Sequence, residues 1–132
     1  MNILVSNDIE YEVQKALKDY FTIYCRPLPE NYTLPNLLVT QVGGNDTNTI
    51  DFYEVVIDSR AETEGEANEY LRFALGTLKQ IVKDQSTVLR SMRINTSGSW
   101  GNDPVRPDLA MCSARIELWA HLDSTTIDPI SQ

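Results

Sequence analysis

Hydrophobic and polar positions follow two periods along this chain, and the switches between them mark its elements. Apolar residues recur at helical spacing through Ile9, Val13, Ala16, Leu17 and Tyr20, which predicts an amphipathic helix with one buried stripe. Asn7 stands where an N-cap is needed, and Glu10 follows three residues later in the reciprocal pattern of a capping box. Residues 21–26 are β-branched and aromatic and end at Pro27 and Pro29, as a short strand near a sheet edge would. Residues 37–42 form the next expected strand, stopped by Gly43 and Gly44. Residues 52–59 form another, with Tyr53, Val55 and Ile57 on one face and Glu54, Val56 and Asp58 on the other. The glycine-rich connection between these two predicts a hairpin.

The strongest helical pattern follows. Thr63 and Glu66 have capping-box spacing, and Ala67, Tyr70, Leu71, Ala74, Leu75, Leu78, Ile81 and Val82 keep one face apolar. At 1.5 Å per residue this helix spans about 30 Å, enough to cross a small sheet. Gly76 costs about 1 kcal/mol there against alanine, and close packing against a strand is its expected reason. Residues 87–95 predict a further strand. Residues 96–108 carry two glycines and two prolines and read as a long loop, the kind that is often functional. The clearest strand is the last, where Ala110, Cys112, Ala114, Ile116, Leu118, Ala120 and Leu122 alternate with polar or differently used positions. The expected class is therefore α+β. The sheet is mainly antiparallel with about five strands, two helices cover one face, and the order is α-β-β-β-α-β-β. Residues 1–132 form one domain, with 123–132 a loose polar tail.

Composition changes this picture mainly through charge. Eleven basic residues against 19 acidic ones leave a net charge of −8, which disfavours nucleic acid or an anionic membrane as the main partner. The first residues, Met1-Asn2-Ile3-Leu4-Val5, are too short and lack the basic flank of a signal peptide or membrane span. Cys25 and Cys112 stand in unrelated segments and are expected to be free thiols of a reducing compartment.

Candidate chemistry is sparse, and no enzyme is expected. His121 is the single histidine, with no nucleophile or orienting partner placed beside it by the sequence. No phosphate-binding glycine loop, zinc spacing or calcium loop is present, so no cofactor and no metal is expected. What remains is contact surface. Trp119 lies between the buried positions of the last strand, with Arg115 and Glu117 on the same face; Trp100 and Arg106 lie in the long loop. Tryptophan and arginine are the residue types that dominate interface hot spots. Glu62, Glu64 and Glu66 crowd the start of the second helix, where the dipole favours acids.

The order of elements resembles the tail-terminator (tail-completion, head–tail joining) proteins of long-tailed bacteriophages. The residues that carry the resemblance are 37–44, the strand 53–59 running into Arg60-Ala61-Glu62-Thr63-Glu64-Gly65-Glu66-Ala67, and Arg106-Pro107-Asp108-Leu109 leading into the last strand. The resemblance implies a structural virion protein at the neck, assembled in the host cytoplasm. It implies a hexameric homo-oligomeric ring that caps the tail tube, ends its polymerisation and meets a head-completion or neck protein, with DNA only as passing cargo. In such a ring Glu62, Glu64 and Glu66 would line a channel and keep DNA from sticking. Another head–tail connector component is the nearest alternative, and a small ligand-binding or enzymatic α+β domain is a more distant one.

Overall fold

The computed structural model runs β1 (Asn2–Val5), α1 (Ile9–Leu17), β2 (Ile23–Cys25), β3 (Asn36–Asp46), β4 (Ile50–Ala61), α2 (Glu64–Lys83), β5 (Leu89–Asn102), β6 (Ala110–His121) and β7 (Asp123–Thr126). It describes residues 1–46 and 50–130; Ser131 and Gln132, the last of the expected loose tail, lie outside the described residues. The fold is α+β. One sheet has the order β2-β3-β4-β6-β5, and β1 pairs with β7 as a separate two-stranded ribbon. Every pairing described is antiparallel except that of β2 with β3, which is parallel.

The alternation in β4 and β6 places the core. Tyr53, Val55 and Ile57 of β4 and Cys112, Ala114, Ile116 and Leu118 of β6 are buried in one cluster with Ile9, Val13 and Leu17 of α1 and Ala67, Leu71, Ala74, Leu75, Leu78 and Val82 of α2. Both helices therefore lie on one face of the sheet. Thr63 caps α2 as its sequence predicts, its Oγ1 accepting from the Glu66 amide at 3.2 Å. Truncating a fully buried side chain of this cluster, such as Leu78, removes about 2–5 kcal/mol.

Several local expectations are corrected. The N-cap of α1 is Asp8 rather than Asn7, its side chain accepting from the Tyr11 amide. Glu10 then sits inside the first turn and reaches outward, to Arg26 Nη2 at 2.6 Å and the Gln41 amide at 2.9 Å. Tyr20 lies beyond α1 and is exposed. Gly43 and Gly44 do not stop β3. They continue it through a bulge between Gln41 and Gly43, and at Gly44 (φ 142°) any Cβ would collide with the Phe52 carbonyl.

The expected 96–108 loop is mostly strand. β5 continues to Asn102 through register shifts between Ile94 and Thr96 and between Thr96 and Ser99, with Gly98 at φ 78° taking the left-handed conformation. The long straight edge of β6 offers hydrogen-bonding partners, and bulges absorb the residues that do not fit. The tail is not wholly loose either, since β7 pairs with β1 from Asn2↔Thr126 to Val5↔Asp123.

Gly76 is corrected as well. It is exposed, and a Cβ there would meet nothing within 4 Å. Gly76→Ala is expected to stabilise the protein by about 0.5–1 kcal/mol through helix propensity and a less flexible unfolded chain. The urea midpoint measures this; an unchanged or lowered midpoint contradicts the open geometry.

Candidate protein-contact surfaces

No helix lies on the second face of the sheet; Leu38 and Arg60 at one end of it are buried, while Phe52, Glu54, Val56 and Asp58 are partly exposed, and the β4–β6 register fixes what stands beside them. Phe52 lies opposite Trp119, Glu54 opposite Glu117, Val56 opposite Arg115 and Asp58 opposite Ser113. The Phe52 and Trp119 rings pack at 5.2 Å between centroids, tilted by 43°. Asp58 Oδ1 accepts from the Ser113 hydroxyl, and Glu117 Oε1 accepts from Asn95 Nδ2 at 2.5 Å. Glu54 and Glu117 are like charges directly across a strand pair, an arrangement that weakens the isolated sheet. Arg115 is exposed and forms no ion pair among the described residues. This face combines a half-buried aromatic pair with acids and bases, Arg93 of β5 standing opposite Glu117 on the side away from Glu54.

The sequence-predicted contact residues do not form one patch. Arg115, Glu117 and Trp119 share the open face. Trp100 is opposite Cys112, whose side chain is in the core, so it projects from the helix side of the sheet. β5 is an edge strand, and Trp100 there is left 50% exposed. Arg106 lies at a third location, in the turn before β6, paired with Asp108 at 2.9 Å. Glu62, Glu64 and Glu66 are all exposed around the start of α2.

Three features escaped the sequence pattern. Arg60 and Asp103 form a buried ion pair, Nε to Oδ2 at 2.6 Å, and Asp103 Oδ1 also accepts from the Val105 and Arg106 amides. Burial alone would raise the Asp103 pKa; the Arg60 hydrogen bond and the two amides outweigh it and hold the carboxyl below its usual range. The local pattern carried no signal for it: Ser59 and Ala61 continue the buried positions of β4, and Arg60 between them is buried on the other face. A cavity of about 380 Å³ opens beside this pair, between Leu28, Pro29, Pro104 and Val105. At the other end of β4, Tyr53 donates to Asp51 Oδ2 at 2.5 Å and accepts from the Asn7 amide at 2.7 Å. Burial and then the Asp51 hydrogen bond push that phenol up to about 12.

Tyr20 and Phe73 form the third feature. Both are exposed, and they border an open cleft with Phe21 and Ile81 on the outer side of α2. Among the described residues no cluster of His, Cys, Asp and Glu is placed to hold a metal ion, and no helix is long and apolar enough to cross a membrane. His121 is exposed, Cys25 is partly exposed and Cys112 is buried, and both cysteines are free. Neither a family model nor a curated protein matches the sequence.

Proposed function

We propose that this protein is a structural subunit that assembles with copies of itself into a closed ring, of the tail-terminator kind that caps a phage tail tube and joins it to the head connector. The observation that supports self-assembly is the partly exposed stretch of the helix-free sheet face, where the Phe52–Trp119 pair lies beside Arg115 and the opposed Glu54 and Glu117. Binding a complementary face buries the aromatic pair further, so contact is favoured over solvent. The role at the phage neck rests on the resemblance in the order of elements. In that role the chain does no catalysis, and its partners are its own copies, the tail-tube protein and a head-completion protein. Glu62, Glu64 and Glu66 would face the channel; neutralising all three without any rise in DNA retention removes that part of the proposal.

The solution mass of the purified protein, with electron-microscope images of the particles alone and on tail tubes, tests the reading. A closed ring of several copies is expected, with one ring per tube end. A protein that stays monomeric at all concentrations and never caps a tube overturns it. A subunit present in many copies along the tube places the chain among other connector or tube components instead.

A further inference from the structure

Charge is segregated along α2 more sharply than its dipole requires. At its start Glu62, Glu64, Glu66 and Glu69 are all exposed, with no base among residues 62–69. Towards its end a groove of about 460 Å³ runs between α2 and β5, lined by Lys79, Lys83 and Arg90 and by no acid among the described residues. Arg72 and Asp84 line instead the cleft on the other flank of α2, with Tyr20 and Phe21, where Asp84 accepts from Gln80 Nε2 at 3.0 Å. None of the four glutamates or the three groove bases forms an ion pair among the described residues. A helix dipole acts only on the first and last turns, which hold Glu64, Glu66 and Lys83. Glu69 and Lys79 are interior to the helix, and Arg90 belongs to β5, where its Nη1 donates to the Thr87 carbonyl at 2.6 Å. In a chain of net charge −8, the groove therefore gathers three positive charges that the helix alone does not explain.

The acidic end and the basic groove cannot meet within one chain. From Glu66 to Lys83 a helix rises about 25 Å and holds them apart. They can meet only between copies. A single exposed ion pair contributes little, but several acids entering a groove of three bases form a network. The two patches differ, so their contact is heterologous, the geometry that closes rings.

We infer that the acidic start of α2 in one copy docks in the Lys79–Lys83–Arg90 groove of a second copy. The contact rests on the self-assembly reading and gives its junctions a charge-paired component. Glutamates held at a junction do not line a channel. Neutralising them therefore lowers assembly if they serve this contact, and leaves assembly intact if they serve the channel.

Two charge-reversed chains test it, Glu64→Lys/Glu66→Lys and Lys79→Glu/Lys83→Glu, with sedimentation reading assembly and a thermal melt reading folding. Each alone is expected to self-associate at least about ten-fold more weakly than the wild type, because like charges then face each other. An equimolar mixture is expected to assemble again, since each reversed patch meets its opposite on the other chain. Glu69→Gln and Lys79→Gln, exposed and clear of the end turns, are expected to weaken assembly in the same direction without disturbing the caps. Reversed chains that melt cooperatively and assemble like the wild type overturn the contact, as does a mixture that stays dissociated. In the first case self-assembly stands and only this contact falls. If the Lys79→Glu/Lys83→Glu chain assembles normally but loses binding to a DNA duplex, the groove serves a phosphate backbone and the contact is likewise overturned. Open head-to-tail chains that the reversals abolish sustain the contact and overturn the closed ring. A wild type that stays monomeric even at low salt overturns both.

Discussion

Asp103→Ala is expected to cost about 3–5 kcal/mol, because it leaves the Arg60 guanidinium buried without its counter-charge. For a chain of this length that lowers the melting temperature by roughly 10–20 °C. The substitution also frees the Val105 and Arg106 amides, so the turn leading into β6 loosens with it. The loss has a pH signature with a definite sign. The Asp103 pKa is depressed in the folded state. Its contribution is therefore fully present above the unfolded carboxylate value, near pH ~4, and disappears as pH falls through the lower folded value. Denaturant titrations of wild type and variant at neutral pH and at successively lower pH should show a gap that narrows on acidification. A gap that stays constant down to pH 2 would mean that shape, not charge, holds this corner together.

Trp119→Ala is expected to separate folding from assembly. Within one chain it removes an aromatic pair worth about 0.5–1.5 kcal/mol beyond its area. The open face bears no helix, so the core on the opposite side is undisturbed. At an interface, truncating a central tryptophan costs about 2 kcal/mol or more, close to 30-fold in each contact. A ring repeats that loss at every junction, so assembly should fail at concentrations where the subunit still melts cooperatively. Sedimentation at several concentrations, paired with a thermal melt, reads both effects. A variant that assembles like the wild type removes the open face from the interface.

The residues explain which parts of this fold were legible in advance. α2 was legible because its cap and its stripe are local: Thr63 and Glu66 are three positions apart, and the buried positions repeat every turn. β6 was legible because twelve residues alternate strictly between buried and less buried. The same alternation identified Arg115, Glu117 and Trp119 as a shared face, and they are one. It did not show that Phe52 completes that face, because Phe52 reaches Trp119 only through the β4–β6 register. β5 was misread beyond Asn95 because glycines and a bulge carry little strand propensity of their own, and the neighbouring edge of β6 decides their conformation.

The sequence by itself determined the α+β class, the two helices, and the faces of β4 and β6. All of these depend on residues close together in the chain. Only the tertiary structure decided that β1 and β7 meet from opposite ends, that the two tryptophans project from opposite faces, and that Arg60 finds Asp103 across 43 positions. Strand partners and buried ion pairs are chosen by geometry between distant segments, and no local period encodes them.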